Sequence, residues 1–209
     1  MKENVHISEA SLRRLPNYLR TLKDKKENGI TDVSSTLLAN DLELNPIQVR
    51  KDLALISKSN GKPGVGFNID ELICDLEDFL NINNSTDAVI VGAGKLGSAL
   101  MNYNGFGKSI NVLMAFDNDK TKCDNKKIFY IDKMENLINR MNIHIGIIAV
   151  PKESAQEVCD ELVHSGIKAI WNFAPTKLKV DKNVIVKNED LSASLIVLLN
   201  LLKEKCERK

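Results

Sequence analysis

Gly92, Gly94 and Gly97 stand at G-x-G-x-x-G spacing within Ala88-Val89-Ile90-Val91-Gly92-Ala93-Gly94-Lys95-Leu96-Gly97-Ser98-Ala99-Leu100. Glycines at this spacing can cradle a pyrophosphate: the first permits a tight turn, the second lets backbone approach the phosphates, and the third lets a helix pack on a strand. Gly92, Ala93, Gly94, Lys95, Leu96 and Gly97 are then the phosphate loop, with free N–H groups at the helix start receiving negative charge. Twenty residues past Gly97, the apolar run Asn111–Phe116 ends in Asp117. A carboxylate there accepts hydrogen bonds from adenosine ribose hydroxyls and repels a 2′-phosphate. No arginine lies in Asn118-Asp119-Lys120 to accommodate that phosphate, which favours NADH and NAD+. Glycines alone are weak evidence, since a generic Gly-rich turn of a non-binding α/β domain shares them.

A second set of residues suits a polyanion. Gln48, Arg50 and Lys51 lie in Asn45-Pro46-Ile47-Gln48-Val49-Arg50-Lys51-Asp52-Leu53, where Asn45-Pro46 is a cap-plus-first-turn signal. Val49, Leu53 and Ile56 recur at helical spacing and face inward, so Gln48, Arg50 and Lys51 face solvent near the helix start. Arginine there can pair bidentately with guanine, and lysine more often anchors phosphate. Arg13, Arg14 and Lys62 are candidates for contacts to a nucleic-acid backbone, each of which could equally be ordinary surface charge.

The elements that must position these residues fall into two groups. Residues 8–28 read as a helix interrupted early by Pro16, which can instead open the main helix at its first turn, and Asn28-Gly29 ends it. A second helix follows with Ser34 or Ser35 as cap, and the Gln48 helix is the third. Two short helices across a tight turn are a helix-turn-helix. Ser57 to Ile69 carries Asn60-Gly61-Lys62-Pro63-Gly64 between short runs, with Val65, Phe67 and Ile69 alternating, a hairpin signal that would complete a winged helix. On pattern alone this unit is as readily a packing or oligomerisation module as a DNA-binding one.

Residues 70–81 form an acidic amphipathic helix, and the aperiodic polar stretch 81–86 sets a boundary between domains 1–84 and 85–188. From Asp87 the pattern alternates, with strands at 88–91, 111–116, 127–131, 143–149, 167–173 and 183–187 and helices near 95–103, 133–141 and 152–165. This is the α/β pattern of a Rossmann-type parallel sheet. Val150-Pro151 and Asn172-Phe173-Ala174 lie at strand C-terminal ends, where such sheets bind ligands, so these five would border a nicotinamide. Leu191 to Glu204 is too leucine-rich for a free surface helix, and it must pack on its own sheet or on a second subunit.

The totals bound the class. The 209 residues suffice for two small domains, and 43% hydrophobic with 27% charged residues is globular composition. No apolar run approaches the roughly 20 residues of a membrane span, and the start lacks a signal-peptide core, so a cytoplasmic location is expected. Cys74, Cys123, Cys159 and Cys206 lie far apart, which fits reduced thiols better than disulfides or a metal site. Residues 1–84 carry 11 Lys/Arg against 13 Asp/Glu, yet five of those acids lie in 70–78, leaving 1–69 at 11 minus 8, or +3.

Taken together, the chain resembles the Rex family of redox-sensing transcriptional repressors over nearly its whole length. The resemblance rests on Arg14-Leu15-Pro16-Asn17-Tyr18-Leu19-Arg20, on Ser34-Ser35 with Gln48–Leu53, and on Gly64-Val65-Gly66-Phe67. In the second half it rests on Val91–Leu100, Met114–Asp117, Val150-Pro151 with Ala155-Gln156, Gly166-Ile167-Lys168 and Asn172–Pro175. Ala54 to Pro63 departs from the family, lacking its aromatics and running about one residue longer, and Ser192-Ala193-Ser194 departs near the end. The resemblance implies a homodimer that binds double-stranded operator DNA through paired winged helices and reads the NADH/NAD+ ratio. It implies that NADH closes the dimer and releases DNA, and that residues 189–209 form a dimerisation helix swapped between subunits. It also implies that Arg20, Tyr103 and Asp190 couple the domains. No enzymatic activity or metal is expected.

Two other classes compete. An NAD-dependent oxidoreductase would need an acid–base residue, and His6, His144 and His164 have no evident partner. Only 59 residues follow Val150, too few for a substrate domain. A CoA-binding Rossmann protein shares the glycine loop, but Asp117 and the helical N-terminal region argue against it.

Overall fold

The computed structural model describes residues 7–59, 61–62, 64–106 and 109–207. The chain divides into two compact units, residues 1–84 and 85–209. Among the described residues no helix is long and apolar enough to cross a membrane.

The first unit holds α1 (Glu9–Glu27), β1 (Asp32–Val33), α2 (Ser35–Asp41), α3 (Pro46–Ile56), β2 (Phe67–Asn68) and α4 (Ile69–Phe79). Ser8 caps α1, its hydroxyl accepting from Ser11 N. The helix runs unbroken through Pro16, which neither interrupts nor opens it, correcting both sequence readings. Pro16 sits on the exposed face, while Leu15, Tyr18, Leu19 and Leu22 are buried in one cluster with Leu38, Val49, Leu53 and Leu72. Burial of that stripe outweighs the ~3 kcal/mol that an interior proline costs a helix. Ser34 and Asn45 cap α2 and α3 by accepting from Leu37 N and Ile47 N, with Pro46 in the first turn of α3.

The expected hairpin around residues 60–64 is shorter than the alternation predicts, and the run after it pairs elsewhere. Its Asn60 and Pro63 lie outside the described residues. Phe67-Asn68 pairs antiparallel with Asp32-Val33 rather than with the run before residue 60, and the loop itself keeps one bridge, Lys62 to Gly66. Gly66 (φ +102°) makes this possible, because a Cβ there would stand 2.4 Å from the Val33 carbonyl oxygen. Ile69, read as the end of the alternation, instead begins α4 and is buried.

The second unit is a six-stranded parallel sheet. Its strands are β3 (Thr86–Val91), β4 (Ile110–Asp117), β5 (Ile128–Tyr130), β6 (Ile145–Ile148), β7 (Ala169–Asn172) and β8 (Ile185–Asn188), in the order β5-β4-β3-β6-β7-β8. Helices α5 (Lys95–Met101), α6 (Met134–Met141) and α7 (Ala155–His164) connect strands, and α8 (Leu191–Glu207) ends the described chain. Ala88 to Val91 are buried side by side and divide by parity. Val89 and Val91 join a cluster with Phe116, Met134, Ile138, Val158 and Leu162, whereas Ala88 and Ile90 pack with Ala115, Ile147 and Leu100. A strand buried on both faces is why the sequence shows a continuous apolar run there instead of alternation. The four cysteines are free.

Candidate functional site

The strand order reverses between β3 and β6, and in open α/β sheets the crevice at the carboxyl ends of such a pair is where ligands bind. A cleft of about 630 Å³ opens there. Gly92 (φ +102°) turns the chain out of β3 with its N–H donating to the Phe116 carbonyl at 2.8 Å. A Cβ on Gly92 would come within 2.6 Å of the Ala149 carbonyl oxygen, so only glycine lets the exits of β3 and β6 pass so closely. A Cβ on Gly97 would stand 1.8 Å from the Gly92 carbonyl oxygen, which presses α5 against its own loop. Gly94 is different: a Cβ there would meet nothing within 4 Å. Its lack of a side chain serves no internal contact and leaves the loop open to an incoming group.

Asp117 lies at the end of β4, 5% exposed, and also faces the cleft. Its Oδ2 accepts from Ala93 N at 2.7 Å and its Oδ1 from Asp119 N at 2.8 Å, so the carboxylate ties the glycine loop to the next strand. Lys122 Nζ reaches both oxygens, at 3.2 and 3.3 Å. The stretch Asn118-Asp119-Lys120, which holds no arginine, stops two residues short of this cation, and Lys120 itself sits over the Tyr130 ring at 4.8 Å. A one-turn 3-10 helix over Lys120–Lys122 swings Lys122 back. Asp119 caps that turn, and the N–H and hydroxyl of Thr121 hold its carboxyl below the usual range. The Asp119 cap in Asp119-Lys120-Thr121 is the signal in the sequence.

Of the residues singled out in the sequence, Gly92, Gly94, Asp117, Val150 and Pro151 line this one cleft, joined by Glu157 and Glu161 of α7, which sequence reasoning missed. Ala93 and Gly97 stand behind the loop, and Lys95 and Leu96 are exposed on the first turn of α5. Asn172, Phe173 and Ala174 are not among the walls. Asn172 is fully buried and fastens the turn after β7, donating to the carbonyls of Ala174 and Thr176 and to Asn188 Oδ1 while accepting from Ala174 N. Phe173 packs on Trp171, with ring centroids 4.6 Å apart.

In the first unit, Gln48, Arg50 and Lys51 are exposed on α3 while Val49, Leu53 and Ile56 are buried, as the periodicity required. Much of the basic cluster is already neutralised. Lys23 pairs with Glu77, Lys25 with Asp41, Lys26 with Asp70, Lys58 with Asp78 and Arg13 with Glu9, each at 2.6–2.7 Å. Among the described residues Arg20, Arg50, Lys51 and Lys62 enter no ion pair, and three of these four unpaired cations lie on the outer face of α3 and the following loop. Arg14 turns inward to the buried Asp52.

Arg20 is exposed on α1 with Nη2 donating to Asn17 Oδ1 at 3.3 Å. In the second unit Tyr103 is 58% exposed, edge-on to Phe106, and Asp190 accepts from Ala193 N at the start of α8. The residues Leu195 to Leu199, Leu201 and Leu202 of α8 are each at least 50% exposed, so the reading in which this helix packs on its own sheet is corrected. His164 does have a partner, Glu135 Oε1 at 3.6 Å, but both are surface side chains away from the cleft.

Comparison with known proteins places both units. A family model described as a putative DNA-binding protein N-terminus matches residues 6–54, and one described as a CoA binding domain matches residues 83–176. The redox-sensing transcriptional repressor Rex of Carboxydothermus hydrogenoformans is 44% identical over 197 residues, covering 92% of this chain and 94% of that protein. The Rex repressor of Treponema denticola is 41% identical over 201 residues, covering 92% and 95%. Among solved structures, RSP, a Rex-family repressor, in complex with β-NAD+ and operator DNA is 35% identical, with a TM-score of 0.88 over 97% of this chain and 95% of that one. The same repressor in complex with β-NADH gives a TM-score of 0.86 over 97% of both chains. The chain belongs to the Rex family of redox-sensing transcriptional repressors.

Proposed function

We propose that this protein is a homodimeric DNA-binding repressor that senses the NADH/NAD+ ratio, NADH binding closing the dimer and releasing operator DNA. The observation that carries the reading is one chain holding both a helix-turn-helix with unpaired cations on its outer face and a switch-point cleft floored by Gly94 and Asp117. A cleft of this size suits a cofactor, and the openness at Gly94 fits a pyrophosphate against the loop. Gly92, Ala93, Gly94, Lys95, Leu96 and Gly97 form the cradle. Asp117 has two backbone donors and Lys122 on its oxygens, so a ribose diol binds there by taking the place of the half-exposed lysine. Val150 and Pro151 border the nicotinamide end, with Asn172, Phe173 and Ala174 shaping it from behind.

Residues 1–84 act as the winged-helix domain, 85–188 as the NAD(H)-binding domain and 189–209 as a helix swapped between subunits. The apolar exposure of α8 supports the last point, because a stripe of seven large aliphatic side chains at 50–60% exposure is a surface built to be covered. Gln48, Arg50 and Lys51 read and anchor DNA, Arg13 and Lys62 contact its backbone, and Arg20, Tyr103 and Asp190 couple cofactor to DNA. The protein works in the cytoplasm as a regulator and not as an enzyme.

The test is fluorescence anisotropy of a labelled duplex from upstream of the protein's own gene, with protein alone, with NAD+, with NADH and with coenzyme A. Binding abolished by NADH at concentrations where NAD+ and coenzyme A have no effect is the expected result. Binding indifferent to NADH, or the absence of binding, overturns the reading.

A further inference from the structure

The most heavily hydrogen-bonded carboxylate described in the first unit lies on the buried side of α3, beneath the face proposed to touch DNA. Asp52, in the middle of α3, is 1% exposed. Arg14 of α1 donates to it twice, Nε to Oδ2 at 2.8 Å and Nη2 to Oδ1 at 3.1 Å. The hydroxyl of Tyr18, itself fully buried, donates to Oδ2 at 2.8 Å, and Gln48 Nε2 donates to Oδ1 at 3.2 Å. Arg14 Nη2 also donates to Ser11 Oγ at 3.1 Å. One carboxylate therefore gathers three residues of α1 and one of α3, and two of the four, Arg14 and Gln48, are residues whose types suggest DNA contacts.

We propose that Asp52 is a positioning residue for operator recognition, converting Arg14 from a phosphate ligand into an internal counter-ion and holding Gln48 and the start of α3 in register on α1. The inference rests on the DNA-binding reading above and assigns roles within it. Arg14 can reach outward to a phosphate only by abandoning a buried carboxylate, and removing one partner of a buried pair is far costlier than breaking a surface pair. Arg13, one residue away, is the opposite case: its side chain is 63% exposed and its ion pair with Glu9 lies at the surface, so exchange for a phosphate is cheap. Burial alone would raise the Asp52 carboxyl, but the donors of Arg14, Tyr18, Ser11 and Gln48 outweigh it and hold the group ionised below its usual range. The same burial and the hydrogen bond to Asp52 push the Tyr18 hydroxyl up to about 12, so it stays a donor.

The distinction is measurable because phosphate contacts have a salt signature. The logarithm of the DNA association constant falls with the logarithm of salt by about 0.9 per phosphate neutralised. Operator affinity of the full-length protein is measured across a salt series for wild type, Lys51→Gln, Arg14→Gln, Asp52→Asn and Tyr18→Phe. Lys51→Gln should make the slope shallower by about one unit. Arg14→Gln and Asp52→Asn should weaken binding about tenfold or more at every salt and leave the slope unchanged, with an unchanged far-UV helical signal and a cooperative melt as evidence that the first unit is folded. Tyr18→Phe keeps the ring in the core and should show the same pattern more weakly. A slope shallower by about one in Arg14→Gln, or wild-type affinity in both Asp52→Asn and Tyr18→Phe, overturns the proposal while leaving the repressor reading standing. Failure of the wild-type protein to bind any duplex overturns both.

Discussion

Gly94→Ala separates cofactor binding from folding with one methyl group. The backbone at Gly94 has φ −72° and ψ −168°, a region open to every L-residue, and the new Cβ meets no atom within 4 Å. The unfolded chain loses freedom worth about 0.4–1 kcal/mol, which stabilises the fold, while alanine is a poorer helix cap than glycine, which offsets it. The net change is within about 1 kcal/mol, or a melting shift of no more than about 4 °C for a chain of this size. Binding responds differently. If the second glycine of the loop admits a pyrophosphate, the methyl occupies that approach and lengthens the hydrogen bonds to the phosphate oxygens. A hydrogen bond to a charged group contributes about 1.5–3 kcal/mol, so losing one weakens NADH by roughly 10- to 100-fold. Isothermal titration with NADH beside a calorimetric melt gives both numbers. NADH affinity within twofold of wild type, with the melt unchanged, refutes the cradle. Gly97→Ala is the contrast: its Cβ would collide with the backbone oxygen of Gly92, no flexible atom can yield, and stability itself should fall by several kcal/mol, lowering the melt.

Four further outcomes are expected. Lys122→Ala leaves Asp117 without its cation and should raise the preference for NADH over NADPH by about two- to fivefold, the size of a half-exposed ion pair, as read by competition titration. For pH, Tyr18 has a folded value pushed up to about 12, so its contribution is complete below the unfolded value near 10 and lost as pH rises through 12. Tyrosinate absorbance should show one of the three tyrosines titrating there together with loss of helical signal. Asp52, held low, contributes above about pH 4 and loses that contribution as pH falls through its folded value, so Asp52→Asn should flatten the acid limb of a stability profile. Finally, Leu198→Glu on α8 should lower the apparent mass in sedimentation velocity to that of one chain, and an unchanged mass would place the dimer contact elsewhere.

What could be read in the sequence was whatever depends on short-range spacing. Asn45-Pro46 announced the start of α3, and Gly92, Gly94 and Gly97 announced a strand, loop and helix, because caps and turns are decided within a few residues. Pro16 misled because local propensity penalises it while the stripe Leu15, Tyr18, Leu19 and Leu22 decides the outcome through packing at long range. Phe67-Asn68 misled for the same reason, since its true neighbour, Asp32-Val33, lies more than thirty residues earlier. The roles of Asp52 and Lys122 were hidden because a charge mid-helix or in a turn usually faces solvent. Only tertiary packing turns Asp52 inward, and only the one-turn helix brings Lys122 back to Asp117.

The pairing of α1 lysines with α4 acids bears on how long the protein lingers in the wrong place. Residues 1–84 carry two more acids than bases, and among the described residues there only Arg20, Arg50, Lys51 and Lys62 enter no ion pair. Non-cognate affinity grows with the number of phosphates a protein can neutralise, so a unit that has spent its lysines on itself holds random duplex weakly. Such a repressor scans quickly, vacates decoy sites and keeps a large free pool. Occupancy of its operator then follows the cofactor ratio on the timescale of dissociation from that operator, rather than being buffered by the rest of the chromosome.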